Sequence, residues 1–582
     1  MPKKDYHNWS KDKLVHELKE LGKLEKSFGL VWKEKFEPEQ VIEKCKDFLP
    51  VLKKESPKKQ IITGRENINH IFIEADNYHA LSVLNYTHKR KVDVIFIDPP
   101  YNTGNKSWIY NNHYVEKEDR FRHSKWLSFM SKRLKLAKNL LKDDGIIVVT
   151  IDSYELFTLG LLMDDPSFFG EKNRLGIITV VHKPEGRNQE KFFGTSNEFM
   201  LVYAKNIDKA KFNSVILDTE LQNRFDEEDE EGKYRLKNFI RLTDGKYSLR
   251  ENKPHFYYPV YVSKDLKKFS ITKKAKYNEV FPITDKGVER TWKTTKETFI
   301  KLAIADNIVA KKEDGKVIIY EKLREDQVIK THWIKKEYHA YHFGTKLLES
   351  ILGSKKFDFP KSLYLVMDIL RLTSKKDAVI LDFFAGSGTT GHAVLELNNE
   401  DDGNRQFILC TNNENNNGNG TGGIAENVCF PRIKKVIEGY KDSTGNVIAG
   451  LGGNLRYYST EFVNNVKTDN DKRILTSRST EMLCLAESTF DEVVNKKDMF
   501  AIYENQKQMT GIIYDEDTIE DFKKEAKRHK KPFVVYVFSY DHTYNEEDFN
   551  DMNNLQIVKP IPEVILNIYR KIYKEIYKPK CI

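Results

Sequence analysis

The sequence has little cysteine, no long apolar run and only a small excess of one charge, and each scarcity removes a class of answer. Five cysteines in 582 residues, at positions 45, 410, 429, 484 and 581, show neither metal-ligand nor disulfide spacing. A zinc module and a disulfide-stapled scaffold are therefore set aside, and no metal site is expected. No window approaches the roughly 18 consecutive apolar residues of a membrane helix, and 31% of the residues are charged, which predicts a soluble protein without a membrane span. The opening residues, Met1-Pro2-Lys3-Lys4-Asp5-Tyr6, lack the apolar core of a secretory signal, so the cytoplasm is the expected compartment. A net charge of +9 permits a polyanionic partner without requiring one. The length exceeds what one core can serve, and roughly two to four domains are expected.

What is present is organised around Val92 to Gly104, V-D-V-I-F-I-D-P-P-Y-N-T-G. Val92, Val94, Ile95, Phe96 and Ile97 predict a central parallel strand buried on both faces. The run stops at Asp98. In open α/β sheets the ligand crevice lies beyond the carboxyl ends of the strands, so Asp98-Pro99-Pro100-Tyr101 is placed for chemistry. Neither proline has an N–H and both fix φ, which leaves a rigid turn whose carbonyls near Asp98 and Pro99 can accept hydrogen bonds. A carboxylate beside a carbonyl matches a planar –NH₂ donor. Tyr101 adds a flat face on which an aromatic ring bearing that amine could stack. Read for packing alone, the same residues are a Pro-Pro turn ending a strand.

Upstream, Leu14, Leu18, Leu21 and Leu24 predict helix within residues 8 to 50, with a second helix starting near Pro38-Glu39-Gln40. After a linker containing Ser56-Pro57-Lys58-Lys59, a short strand Ile71-Phe72-Ile73 ends in Glu74-Ala75-Asp76-Asn77. A helix from Tyr78 to Leu84 then leads to the central strand, a right-handed unit if the strands are parallel. Downstream, Trp126 to Leu141 predicts an amphipathic helix with Lys132, Lys135 and Lys138 as a solvated face, capped by Asp143-Asp144-Gly145. Buried strand Ile146 to Asp152 follows. Strands near Gly176 to Val181 and Glu198 to Ala204 flank a polar loop, His182 to Asn188, of the kind that often carries function.

From about 207 to 345 the alternation of strand and helix is lost, which predicts an inserted domain. It holds an acidic run (Asp226 to Glu231) and stretches that interleave basic and aromatic residues, Lys246-Tyr247 through Arg250 and Arg290-Thr291-Trp292-Lys293. These suit phosphate and base contacts, and a solvated surface equally well. The α/β pattern returns at Lys375. Strand Ala378 to Leu381 ends at Asp382, and Phe383-Phe384-Ala385-Gly386-Ser387-Gly388-Thr389-Thr390-Gly391 leads into a helix from His392 to Leu397. The glycines permit a tight turn with close backbone approach, and the helix N-terminus offers N–H groups to a carboxylate or phosphate. The loop matches G-x-G-x-x-G, with Glu414 placed after strand Phe407 to Cys410 where a ribose-binding acid would sit. No lysine follows Gly388, which excludes a Walker-type nucleotide loop.

A D-P-P-Y strand end upstream of an F-x-G-x-G loop, with a large insert between them, resembles the DNA amino-methyltransferases of the β arrangement. The likeness extends through Asp76-Asn77 with Leu81, Gly145 to Asp152, Ser196-Asn197-Glu198 to Lys205, Phe359-Pro360-Lys361-Ser362 and Pro431-Arg432-Ile433 to Gly439-Tyr440, covering about residues 70 to 460. Length and the D-P-P-Y-N-T-G form resemble the modification subunit of type III restriction systems. The resemblance implies an α/β fold: a Rossmann-like methyltransferase core in permuted order with an inserted target-recognition domain and a smaller C-terminal α+β domain. Its parts would be an N-terminal helical segment (1–60), a catalytic half (61–206), the target-recognition domain (207–345), a cofactor half (346–455) and a C-terminal domain (456–582).

The resemblance further implies S-adenosylmethionine as cofactor, held by Asp76, Lys361, Asp382, Phe383, Ala385, Gly386, Ser387, Gly388 and Glu414. Asp98 and the Pro99 carbonyl, in the rigid turn made with Pro100, would take both hydrogens of an adenine N6 amine, and Tyr101 would stack on the base. Double-stranded DNA is the implied substrate, flipped open at the target, with a homodimer and a restriction subunit as implied partners. Two features depart from the pattern: Thr411-Asn412-Asn413-Glu414-Asn415 replaces the usual acid-ending strand, and serine follows Pro360-Lys361 instead of proline. Two rival readings are an N4-cytosine or RNA amino-methyltransferase and a catalytically silent DNA-recognition subunit. The usual serine in place of Asp98 in N4 enzymes argues against a cytosine target. Intact Asp98, Tyr101 and glycine loop argue against silence. In the tail, Phe533 to Phe538 predicts a core strand and Pro562 to Tyr577 a helix, a folded domain that could serve as a partner surface or as scaffold.

Overall fold

The computed structural model describes residues 9–15, 18, 39–104, 109–110, 113–116, 119–186, 191–213, 225–242, 245–324, 329–413, 423–541 and 543–577. The chain divides into two compact units, residues 1–213 with 330–582, and residues 214–329.

The larger unit is built on a ten-stranded sheet. Its strands, labelled in chain order, are β1 (Phe48–Lys54), β2 (Asn69–Glu74), β3 (Val92–Ile97), β4 (Leu141–Ile151), β5 (Arg174–Val181), β6 (Asn197–Ala204), β7 (His332–Trp333), β8 (Val379–Asp382), β9 (Gln406–Thr411) and β10 (Asn454–Asn464). The spatial order is β1-β10-β2-β9-β8-β3-β4-β6-β5-β7. From β10 to β4 every pairing is parallel, while β6 runs antiparallel to both β4 and β5. All six residues of β3 are buried, as a strand covered on both faces requires. One of them is an acid. Lys142 Nζ binds both oxygens of Asp93 at 2.8 and 2.7 Å, and the Val379 N–H donates to Asp93 Oδ2 at 2.9 Å, so a carboxylate inside β3 fastens the first residue of β8 to it.

Helix α1 (Asn77–Thr87) follows β2, with Asp76 accepting the Tyr78 N–H at 2.7 Å as its N-cap. Helix α2 (Arg122–Leu140) carries Trp126, Met130, Leu134 and Ala137 into the core and runs straight into β4 at Leu141, so Asp143-Asp144-Gly145 lies within a strand instead of capping the helix. Lys132, Lys135 and Lys138 are half-buried, not a free solvated face. Lys138 Nζ bonds the Phe168 carbonyl. Helices α3 (Leu156–Asp164), α4 (Leu363–Thr373), α5 (Thr389–Asp401) and α6 (Phe430–Glu438) complete the core layers.

Two expectations change near the chain's ends. Residues 48–54 form edge strand β1 instead of helix, and 454–464 form β10 inside the main sheet, so a boundary at 455/456 would cut a strand paired with β1 and β2. The short helix Gln40–Lys44 does lie where a helix start was read. Most of the Leu14-to-Leu24 segment lies outside the described residues. Beyond β10 come a five-stranded sheet (residues 491–561) and the helix Glu563–Tyr577. Leu483, Tyr536, Ile565 and Tyr569 share one core with Leu49, Tyr78 and Leu84, which makes this tail part of the larger unit's packing.

The smaller unit has its own core of Phe239, Tyr258, Val260, Trp292 and Phe299 beneath a four-stranded and a three-stranded antiparallel sheet. Trp292 is therefore packing rather than a surface aromatic, and Arg250 is paired with Glu289 at 3.0 and 2.8 Å. Tyr247 remains exposed, with Lys246 Nζ over its ring.

Arg133, on α2, is fully buried and holds the N-terminal part to the sheet: it binds Glu39 through two nitrogens at 3.1 and 2.6 Å, and also Asn77 and the Phe129 carbonyl. Removing it leaves the Glu39 carboxylate buried without its cation. Arg133→Met is expected to lower the unfolding free energy by about 3–5 kcal/mol in urea denaturation. A loss below about 1 kcal/mol would mean that Glu39 finds another partner.

Candidate active site

Strand β3 ends at Ile97 and β8 at Asp382, side by side and pointing the same way, with Ile380 opposite Val94 and Leu381 opposite Ile95. The polar turn Asp98-Pro99-Pro100-Tyr101 and the glycine loop after Asp382 thus leave the same edge of the sheet. The turn is fixed by its neighbours. Trp126 Nε1 donates to the Pro100 carbonyl at 2.7 Å, and Thr150 Oγ1, near the end of β4, donates to Asp98 Oδ1 at 2.6 Å. Asn102 sits at φ 56°, fully buried, and donates to Glu155, which His123 Nδ1 also meets at 2.6 Å. Asparagine is among the few side chains that tolerate this left-handed conformation.

Around Asp98 the structure assembles residues far apart in the chain. Lys361 Nζ lies 3.0 Å from Asp98 Oδ2 and 3.1 Å from Glu198 Oε2, and 4.8 Å from the centroid of the Tyr101 ring. Tyr101 Oη donates to the same Glu198 oxygen at 2.9 Å. Burial works against the Lys361 ammonium, but Asp98 and Glu198 outweigh it and hold its pKa above the ordinary value. Glu198 is likewise buried, and Lys361 brings its carboxyl below the usual range. Burial, then the charges of Asp98 and Glu198, push the Tyr101 phenol well up. Lys361 is therefore placed against the D-P-P-Y carboxylate. Its backbone is wedged: a Cβ on Gly344 would stand 2.3 Å from the Pro360 carbonyl oxygen and 3.0 Å from that of Lys361.

On the β8 side, Asp382 is buried and takes the Phe384 N–H at 2.9 Å and the Thr390 hydroxyl at 2.6 Å. Burial raises its pKa to about 7, with a contribution from the nearby charge of Asp98. Gly386 and Gly388 have φ of 48° and 77°, the left-handed region where a side chain is strained, and a Cβ on Gly388 would meet Cys429 Sγ at 3.0 Å. The N-terminus of α5 opens directly from Gly388. Phe383, Ala385 and Ser387 are buried in the loop's own packing, and Ser387 Oγ lies 3.1 Å from Thr389 Oγ1 and 3.3 Å from Arg432 Nη1. Asp76 reaches this region through α2: Arg133 Nη2 lies 3.4 Å from Asp76, the Arg133 guanidinium stacks on Phe129, and Phe129 packs against Phe384. Glu414 lies outside the described residues, as do Arg187 and Asn188 of the polar loop.

In the sequence Asp98, Tyr101, Asp382 and the glycines stand out as strand-end and loop signals, whereas Trp126 reads as packing, Glu198 as part of a strand, and Thr150 carries no signal of its own. Among the described residues no cluster of histidine, cysteine and acids could hold a metal ion, and no helix is long and apolar enough to cross a membrane.

The chain belongs to the DNA methylase family, whose model matches residues 92–416. Among its relatives is the type II methyltransferase M.KpnI of Klebsiella pneumoniae, 37% identical over 58% of this chain and 79% of that protein. The type III restriction-modification enzyme EcoPI Mod subunit of Escherichia phage P1 is 32% identical over 60% of this chain. The match spans 58% of that subunit's length. Among solved structures, the PvuII DNA methyltransferase (cytosine-N4-specific) aligns over 60% of this chain and 83% of its own at 12% identity, with a TM-score of 0.30.

The buried acid gives a pH test. Because the folded pKa of Asp382, about 7, lies above the unfolded value near 3.8, its contribution to stability is fully present below pH ~4 and lost as pH rises towards 7. Asp382→Asn keeps the shape without the charge. Wild type should lose a few kcal/mol relative to this variant between about pH 4 and pH 7 in paired denaturation curves. Parallel curves would show that Asp382 is ionised throughout.

Proposed function

We propose that this chain is a site-specific DNA methyltransferase that moves a methyl group from S-adenosylmethionine to the N6 amine of an adenine flipped out of duplex DNA, in a restriction-modification setting. The observation that carries the reading is the shared sheet edge, where the Asp98-to-Tyr101 turn adjoins the Asp382 glycine loop. M.KpnI, by its name a methyltransferase, supports the methyl transfer, and the EcoPI Mod subunit, by its name part of a type III restriction-modification enzyme, supports the restriction-modification setting and a further subunit as partner. A homodimer on double-stranded DNA remains part of the proposal. Asp98, where N4 enzymes usually carry serine, favours adenine over cytosine.

The residues fit the cofactor. Two left-handed glycines bring the backbone close, the N-terminus of α5 suits a carboxylate, and the buried Asp382 suits a donor or a positive group. Asp382, Phe383, Ala385, Gly386, Ser387 and Gly388 would hold it, with Asp76 bracing the loop and Glu414 assigned to the ribose. When bound it supplies a methyl group on a sulfonium centre. Asp98 and the Pro99 carbonyl accept the two amine hydrogens, which draws the nitrogen lone pair out of conjugation with the ring. Tyr101 stacks on the base. Flipping costs a few kcal/mol, which stacking and phosphate contacts offset, and catalysis rests on positioning in a water-poor pocket. Lys361, assigned to the cofactor from the family likeness, is reassigned here to the Asp98 side.

Asp98→Ala should reduce methyl transfer by orders of magnitude while cofactor binding persists, since the acceptor meets the base and only borders the cofactor. Activity within about tenfold of wild type would sink the assignment. The converse change is Gly386→Val, which places a branched side chain at φ 48° with its Cβ 3.3 Å from Phe357. It should abolish cofactor binding in calorimetry, and unchanged affinity would reduce the loop to a turn.

Choice of DNA sequence is assigned to the segment around the smaller unit, residues 214–329 within the 207–345 insert, because a site that contacts one flipped base offers no other readout. Exchanging it for the segment of a relative with another target should move methylation to the new sequence with turnover kept. A folded hybrid that still marks the original sequence would assign recognition elsewhere.

A further inference from the structure

We infer that Glu198 and Lys361 are positioning residues for the amine acceptor, with one buried carboxylate aligning both Asp98 and Tyr101 towards the target base. The inference rests on the reading of Asp98 as that acceptor.

The geometry is unusually economical in atoms. Glu198 Oε2 meets Lys361 Nζ at 3.1 Å and accepts the Tyr101 hydroxyl at 2.9 Å, so a single oxygen ties the ammonium to the phenol. The ammonium reaches Asp98 Oδ2 at 3.0 Å, and Thr150 holds Oδ1 at 2.6 Å. Both oxygens of Asp98 are thereby fixed, yet a carboxylate has about four lone-pair directions and keeps acceptor capacity for an amine. The other oxygen, Glu198 Oε1, is buried and has no hydrogen-bond partner among the described residues. Lys361 and Tyr101 are therefore the hydrogen-bonding groups that set where this carboxylate lies.

Charge gives Glu198 a second purpose. An ammonium facing Asp98 alone would make a neutral pair and cancel the field that an amine donor should meet. By formal charge Asp98, Glu198 and Lys361 sum to one negative charge, with His182 the further titratable group that faces Glu198, so the three keep an acid in excess for a donor that becomes positive as it takes a methyl group. The groups come from β6, the turn before α4 and the end of β3, all on one sheet edge, and each has its position imposed by backbone. Lys361 is wedged by Gly344, and Glu198 is paired with Val180 of β5, next to Phe199, which pairs with both β4 and β5.

The test uses the full chain and a duplex carrying its methylated sequence, with 2-aminopurine replacing the target adenine in one set. Glu198→Gln, Lys361→Met, their double variant, Tyr101→Phe and Asp98→Ala are compared in single-turnover methyl transfer, duplex affinity and 2-aminopurine emission without cofactor. Glu198→Gln and Lys361→Met should each slow transfer by about 100-fold, the scale of an ångström's misplacement, with duplex affinity within about threefold. Their double variant should be no slower than the worse single one, because the two act as a unit. Glu198→Gln and Tyr101→Phe should both brighten 2-aminopurine, since the ring that stacks on it has lost its anchor. Tyr101→Phe decides alone if Glu198→Gln does not fold. Wild-type rate and emission in Glu198→Gln, or in Tyr101→Phe where only that variant folds, would overturn the inference if Asp98→Ala is inactive. An active Asp98→Ala would instead overturn the reading of Asp98.

Discussion

The site depends on one pairing, that of β3 with β8. The two strands are separated by almost half of the chain, yet the ends that leave them carry Asp98 and Asp382. A slip of one residue in either would turn its side chains to the opposite face and part the two acids. Apolar side chains on buried strands resist such a slip only in general. Asp93 resists it specifically, because its carboxylate is held by Lys142 and accepts the N–H of Val379, the first residue of β8. The intervening chain can be long without penalty to this arrangement. Loop-closure entropy grows only with the logarithm of length, and residues 214–329 form a unit with its own core.

Buried charge is the second constraint. Lys361 and Glu198 are nearly inaccessible, and either alone would be costly to bury. Together with half-exposed Asp98 they satisfy one another, and replacing the set by apolar groups would cost little in stability. Stability therefore does not explain the cluster. On the proposed role of Asp98, fixed orientation of the acceptor does, since preorganised charges need not rearrange during reaction.

Much of this was legible locally. Strand β3, its abrupt end at Asp98 and the glycine loop are signals within a dozen residues, and the structure keeps them. What was illegible required knowing what lies next to what. Strand β1, Phe-Leu-Pro-Val-Leu-Lys-Lys, holds a proline and two lysines, and it is a strand because β10 supplies a partner and because proline is tolerated at a sheet edge. The segment Asp143-Asp144-Gly145 has the composition of a helix cap, but the sheet draws the chain into β4 directly from α2. Trp292 between basic residues looks the same in sequence whether it faces solvent or a core, and a small domain needs its largest ring inside. Glu198 reads as the polar end of an apolar strand. The arrival of Lys361 from the turn before α4 gives it an ammonium to hold.

Arg432 completes the electrical layout. It is fully buried beneath the glycine loop, donating to the Ser387 carbonyl at 3.3 Å and to Thr389 Oγ1 at 2.8 Å, with the His392 ring at 3.2 Å. All are neutral acceptors, and burial lowers its pKa to about 10, so it stays charged at neutral pH without neutralisation by these groups. Its charge adds to the positive end of the α5 dipole on the same residues. Asp382 and the Asp98 cluster lie at the strand ends with acids in excess of cations. The edge of the sheet is thus polarised, favouring an anion at the start of α5 and positive or donor groups at the strand ends. A ligand with a carboxylate at one end and a cationic centre further along would be oriented by this field before any contact was made.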